Sequence, residues 1–204
     1  MGEDLAPLLP RYFFITSGRG TSRVSKLNAF DRALLRAGIG DCNLICVSSI
    51  IPPGAELIEP IRVPTGLITY VVMARMDGEP GDLISAGVAW AWMRGREEGE
   101  KFGVIVEGHG NDAEEALAEK LRAMCADMAE ARGMVVEDVG VRVESLKVPS
   151  GCYGSVVAAA VLLPDLPALA SKVRRVPPQL SSSGSSCRSQ RPPRRAPSTR
   201  CRRA

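Results

Sequence analysis

Hydrophobic positions along this chain fall into short runs separated by glycine, proline and small polar residues, and the spacing within the runs is of two kinds. At 11–16, 42–47, 66–76, 83–93, 102–106, 135–148 and 152–163, apolar and β-branched residues alternate with polar ones or form stretches too short for a buried helix, which predicts strands. The 83–93 run is also compatible with a helix. Helical spacing occurs twice. In the first helix Asn28 stands as the N-cap with Asp31 at the third helical position, Leu34 and Leu35 supply an apolar face, and Gly38 suits the left-handed residue after the end. In the second, Asn111 is the cap, Glu114 follows three residues on, and Leu117, Leu121, Met124, Cys125 and Met128 make one stripe that ends at Gly133.

The connections read from their turn residues. The stretch 17–26, rich in Gly, Ser and Thr, predicts a flexible loop, and 77–82 predicts a hairpin-like link between two strands. Glu107-Gly108-His109-Gly110 predicts a sharp change of direction after 102–106, and Pro52-Pro53 stops the strand at 42–47. Strands and helices mixed without strict alternation predict an α+β fold, with helices packed on an antiparallel or mixed sheet as a layered sandwich in a single domain over 1–163.

Composition narrows the class. With 204 residues, 45% hydrophobic and 24% charged, the chain is long enough for one ordinary core and has the balance of a soluble globular protein. Glu3 and Asp4 stand where a signal peptide carries positive charge, and the apolar runs fall short of the roughly 20 residues of a membrane-spanning helix. A cytoplasmic protein without a membrane partner is expected. Charge is divided: ten of the 26 basic residues lie from Ser171 onward, where there is no acid, so the body sets 16 against 23 and is net −7. From Pro164 the sequence is rich in proline, serine and arginine, which predicts a disordered tail over 164–204. That tail has no aromatic residue on which a base stacks, so nucleic acid is not an expected partner. The six cysteines show no CxxC spacing and the single histidine, His109, has no ligand partner among them, so no metal is expected and the thiols read as reduced core residues.

Candidate chemistry centres on Asn43-Leu44-Ile45-Cys46-Val47-Ser48-Ser49-Ile50-Ile51-Pro52-Pro53, two adjacent serines at the end of an apolar strand. This run, together with Leu27-Asn28-Ala29-Phe30-Asp31-Arg32-Ala33-Leu34-Leu35-Arg36-Ala37-Gly38-Ile39-Gly40, resembles the archaeal-type pyruvoyl-dependent arginine decarboxylases, a similarity that extends more weakly over 11–163. The resemblance implies autocatalytic cleavage between Ser48 and Ser49, giving a β chain 1–48 and an α chain 49–204 that begins with a pyruvoyl group made from Ser49. That group condenses with the substrate α-amine and holds the electrons left when carbon dioxide departs, a task for which no ordinary side chain is an adequate sink. The implied reaction converts L-arginine to agmatine, a first step toward polyamines, in trimers or multiples of trimers with active sites between neighbours.

The same resemblance assigns roles that residue type alone leaves open. Asn43 becomes a donor to the oxyanion of self-cleavage, although an asparagine at a strand start also serves turn geometry. Glu107 becomes the general acid, kept protonated by Val104-Ile105-Val106, although a carboxylate at a strand end is commonly just exposed; Gly108 and His109 depart from the family pattern. Asp31 becomes the carboxylate for the substrate guanidinium, although an acid at the third position of a helix favours the helix dipole regardless. The alternatives are a pyruvoyl decarboxylase of another amino acid, such as histidine, and an unprocessed structural relative.

Overall fold

The computed structural model describes residues 9–95, 101–165 and 174–176. Its elements are β1 (Pro10–Ser22), α1 (Lys26–Arg36), β2 (Asn43–Cys46), β3 (Ile50–Ile51), β4 (Glu56–Leu57), β5 (Ile68–Gly78), β6 (Leu83–Arg94), β7 (Lys101–Gly110), α2 (Glu114–Glu130), β8 (Val135–Lys147) and β9 (Tyr153–Pro164). They form a five-stranded sheet in the order β2-β5-β9-β1-β4 and a four-stranded sheet in the order β3-β7-β6-β8. The two sheets meet over Phe13, Ile51, Val72, Val88 and Ile105. Helix α1 covers the outer face of the first sheet over Phe14, Val71 and Val161, and α2 covers the second over Ala89, Val104 and Val106. The α+β layered sandwich expected from the sequence is the architecture found, as helix, sheet, sheet, helix.

Alternation explains the layers. Phe13 and Phe14 are both buried because successive side chains leave a strand on opposite faces, one into the space between sheets and one under α1. Each such burial is worth about 1.5–3 kcal/mol. The central strand β9 is covered on both faces, which is why its residues read as a continuous apolar run rather than an alternating one.

Several local expectations are corrected. The stretch 17–26 is not a flexible loop: β1 continues through Ser22 in register with β9, Gly18 opposite Val157 and Gly20 opposite Ser155. Glycine stands at these two positions because α1 lies directly on them. A Cβ at Gly18 would come within 2.3 Å of the Ala33 carbonyl oxygen, and one at Gly20 within 2.3 Å of that of Ala29. The N-cap of α1 is Ser25, whose hydroxyl accepts from the Asn28 N–H, so Asn28 lies inside the helix; Leu35, assigned to the apolar face, is exposed, and Ala29 and Ala33 are buried instead. Residues 77–82 do not close a hairpin, because β5 belongs to the first sheet and β6 to the second. Strand β7 does not turn at Glu107 but pairs with β6 as far as Gly110, opposite Ser85. Asn111 donates its side-chain amide to the Leu83 carbonyl at 2.7 Å, and α2 begins after Ala113 without a side-chain cap.

One further correction concerns a thiol, and three residues of the chain end are placed. Burial pushes the Cys125 thiol up to about 11, as expected of a core thiol, whereas Cys46 is exposed. Beyond β9, residues 174–176 lie along β4: Glu59 N–H donates to the Arg174 carbonyl at 2.8 Å, Val176 N–H to that of Leu57 at 3.1 Å, and Arg175 pairs with Glu56. The rest of the stretch assigned to a tail, 166–173 and 177–204, lies outside the described residues, as do Cys187 and Cys201.

Gly20→Ala forces α1 off β1 and is expected to cost about 2–3 kcal/mol, the upper part of the range for overpacking, since the obstruction is backbone. Gly38→Ala, at φ +75 with nothing within 4 Å, costs about 1–2 kcal/mol from conformation alone. Urea unfolding of the two variants checks the order.

Candidate active site

The chain passes from one sheet to the other at the serine pair. Val47 N–H donates to the Val71 carbonyl at 2.9 Å, which extends the parallel pairing of β2 with β5 by one step. Ile105 N–H donates to the Ser49 carbonyl at 2.7 Å, which extends the antiparallel pairing of β3 with β7. Only Ser48 lies between these two anchors. Two residue steps span at most about 7 Å, less than the roughly 10 Å between stacked sheets, so the crossing sits at a corner where the sheets draw together. Val47 and Ile51 insert into the core on either side, and Pro52 and Pro53 bring no N–H with which to prolong β3. Ser48 is exposed and Ser49 half-buried, so both hydroxyls lie near the surface while the backbone that carries them is fixed.

Glu107 shares this corner. Continuing the β3–β7 register sets Ser49 opposite Ile105, and Glu107 follows two residues on, on the same face of β7. Such diagonal neighbours stand about 7–8 Å apart. Val104 and Val106 are buried under α2 and Ile105 between the sheets, but Glu107 itself is exposed, so within one chain those residues do not enclose its carboxyl. It has no hydrogen bond or ion pair among the described residues.

Asn43 and Asp31 lie elsewhere. Asn43 opens β2, its backbone N–H on the Leu67 carbonyl and its side-chain amide on the Gly66 carbonyl at 2.9 Å. Four strand steps, about 13 Å, separate it from Val47, so the structure does not bring this amide to the Ser48–Ser49 bond of its own chain. Asp31 is exposed on α1, which packs on β1, β9 and β5. It is the sixth residue of the helix, and the first turn contains no acid, so the helix-start explanation for this carboxylate no longer holds. Beside it, Phe30 is clamped beneath the Arg75 guanidinium, 3.6 Å from the ring centroid, and Arg75 in turn pairs with Asp77 at 2.6 Å. This clamp ties α1 to β5.

Sequence reasoning missed the surface that surrounds the crossing. Ile45 pairs in register with Tyr70, and Asn43 with Ile68, so all four project from one face of the first sheet beyond the cover of the second. Ile45, Ile68 and Tyr70 are 43–60% exposed, and Ile50, beside Ser49, is 44% exposed. The signal available was the unbroken apolar character of 44–47, which fits a strand covered on both faces although β2 is an edge strand.

Comparison with known proteins gives these residues a context. The profile of the family "Pyruvoyl-dependent arginine decarboxylase (PvlArgDC)" matches residues 12–167. The chain belongs to this family. Proteins named pyruvoyl-dependent arginine decarboxylase resemble it over most of their length. That of Methanothermobacter thermautotrophicus is 40% identical over 152 residues, covering 73% of this chain and 94% of the relative. That of Methanopyrus kandleri is 33% identical over 153 residues, covering 75% and 97%. That of Methanocaldococcus jannaschii is 32% identical over 170 residues, covering 79% and 98%. No helix among the described residues of this family member is long and apolar enough to cross a membrane.

Since Asp31 and Glu107 are exposed and bond to nothing among the described residues, Asp31→Asn and Glu107→Gln should each change unfolding free energy by no more than about 0.5 kcal/mol. Urea midpoints unchanged from the parent chain would show this, and any functional loss in the two variants is then a loss at the site rather than of the fold.

Proposed function

We propose that this chain decarboxylates L-arginine to agmatine and carbon dioxide, a step toward polyamines in the cytoplasm, with a pyruvoyl group that it makes by cutting its own Ser48–Ser49 bond. The observation that carries the reading is the pinned crossing: the bond to be cut lies between Val47 N–H on Val71 and Ile105 N–H on Ser49, where backbone motion is least available to separate the hydroxyl from its target. The Ser49 Oγ attacks the Ser48 carbonyl carbon, the C–N bond breaks, and the amide becomes an ester with the Ser49 amine free. Loss of the Ser49 α-proton and of the ester oxygen from Cβ releases 1–48 with a free carboxylate. Tautomerisation and addition of water expel ammonia and leave a ketone next to the position-49 carbonyl.

The residues present fit that group. The Ile105 N–H already donates to the carbonyl of position 49, Ile51 anchors the new chain start in the core, and the half-buried surroundings leave room on the outer side. A carbonyl conjugated to a second carbonyl supplies an electron sink. The other roles belong to side chains. Glu107 delivers a proton to the substrate α-carbon after carbon dioxide leaves, from the same strand that holds Ser49. Asp31 receives the guanidinium through paired charge-assisted hydrogen bonds.

On this reading the active form is a homo-oligomer, a trimer or a multiple of trimers. The uncovered Ile45, Ile68 and Tyr70 support it, since a neighbour seated there removes them from water and can bring its own Asp31 to the corner. The same contact supplies the apolar surroundings that Glu107 lacks within one chain and needs to remain protonated. The Asn43 amide has a second N–H beyond the one given to Gly66, free to serve as an oxyanion donor to an adjoining chain's crossing.

Gel electrophoresis and agmatine assay of two variants test the proposal. Ser49→Ala is expected to remain one chain without activity. Glu107→Gln is expected to cleave as the parent does yet release agmatine roughly 10²- to 10⁴-fold more slowly. Near-normal release by Glu107→Gln removes that residue from turnover, and failure of that variant to cleave moves its role to self-processing.

A further inference from the structure

A sizeable cavity among the described residues does not include the serine pair. It lies between β4, the edge of the first sheet far from β2, and β6 and β8 of the second, with a volume of about 730 Å³. That is within the usual range for small-molecule sites. Its walls include Trp90, Trp92 and Leu57, and its charged lining consists of Glu56, Glu137, Asp138, Lys101 and Arg175. None of the residues assigned to decarboxylation lines it.

The two indoles are held by the fold. Trp92 meets Phe13 edge-on with centroids 6.2 Å apart. Trp90 lies against Gly140, where a Cβ would come within 2.0 Å of the indole Cζ2, so the position is open to this ring only because residue 140 is glycine. The acids owe their place to an irregularity. Trp92 pairs with Asp138 and Met93 with Val136, which leaves Glu137 as the extra residue of a bulge and turns two consecutive carboxylates toward the cavity.

Charge decides what such a site takes. Glu137 is bonded by Lys101 at 2.6 Å and Arg94 at 2.9 Å, and Glu56 by Arg11 and Arg175. The cations at the cavity are therefore already engaged. Asp138 has no hydrogen bond or ion pair among the described residues, and of the three acids in the lining it alone has no cation partner there. A carboxylate beside two aromatic faces suits a cation with an apolar stem: the indoles attract the charge through their ring quadrupoles and cover the stem.

The geometry points to a second ligand site in this protein: the Trp90–Trp92 cavity binds a small alkyl guanidinium or alkyl ammonium ligand, with its head against Asp138 and its stem along the indoles. Pro53 and Gly54 form part of the wall and follow Ser49 by only a few residues, so an occupant touches the segment that leads directly from the serine pair.

The test is fluorescence, because the chain has only two tryptophans and both line the cavity. Full-length Ser49→Ala chain, which makes no pyruvoyl group, is titrated with n-butylguanidinium and with n-butylurea, its uncharged counterpart. A saturable change in tryptophan emission is expected with the guanidinium, and affinity at least about tenfold weaker with the urea and in the Asp138→Asn variant, a difference of about 1.4 kcal/mol. Asp31→Asn should leave the response unchanged. Equal responses to guanidinium and urea, no saturable response, or a response lost with Asp31 rather than Asp138 overturns the assignment. The comparison of the two ligands needs no substitution at the cavity, so it decides the matter even if Asp138→Asn fails to fold. Because the uncleaved chain is used, failure of the decarboxylase reading would leave this result standing, and the reverse also holds.

Discussion

Val47 is the last residue held by the first sheet and Ser49 the first held by the second, and the chain has a single residue with which to cross between them. Much of the molecule serves to hold those two ends. The Val71 carbonyl that receives Val47 belongs to β5, kept in place by β9 on its other side, and the Ile105 N–H that holds Ser49 belongs to β7, braced by β6 and by α2 above it. Backbone hydrogen bonds of this kind are individually modest, about 1 kcal/mol net. Their effect here is geometric, since two sheets that share one core cannot slide apart without exposing Val47 and Ile51, the apolar anchors that flank the serine pair.

Close approach of helix and strand is the second constraint. Gly18 and Gly20 let α1 lie with its backbone against β1, and Phe30 under Arg75 fixes the helix toward β5. The solvent side of α1 is thereby presented at a set height and angle, and Asp31 stands on it. The residues of the proposed reaction thus lie in two places, Ser49 with Glu107 at the sheet corner and Asp31 on the outer helix, with exposed Ile45, Ile68 and Tyr70 on the first sheet beside the crossing. That division is what a site completed by association requires.

The sequence made some of this legible and concealed the rest for physical reasons. The long strands and α2 were readable because 135–148 and 152–163 combine β-branched residues with turn signals, and because Leu117, Leu121 and Cys125 keep helical spacing. Gly18 and Gly20 misled, since glycine in a strand reads as a loop unless one knows that a helix lies on it. Ser25 and Asn28 are both cap formers, and only the structure, with Ala29 and Ala33 buried rather than Leu35, shows that the helix starts from Ser25. The serine pair was legible only through its neighbours: a hydroxyl pair at a strand end says little, whereas the run from Asn43 to Pro53 together with the preceding helix carried the family, which the profile match over 12–167 bears out. The pairing of Ser49 with the strand of Glu107 was not readable, because it joins residues far apart in sequence through a two-residue strand.

The proposed chemistry stands or falls on whether the bond between the two anchors is cut. An intact-mass spectrum of the purified wild-type protein measures this directly. Two species are expected, residues 1–48 ending in a free carboxylate and residues 49–204 with the first serine replaced by a pyruvoyl group, lighter by the elements of ammonia and blocked to Edman degradation. A single species at the mass of the uncut chain, unchanged on long incubation, would contradict that chemistry.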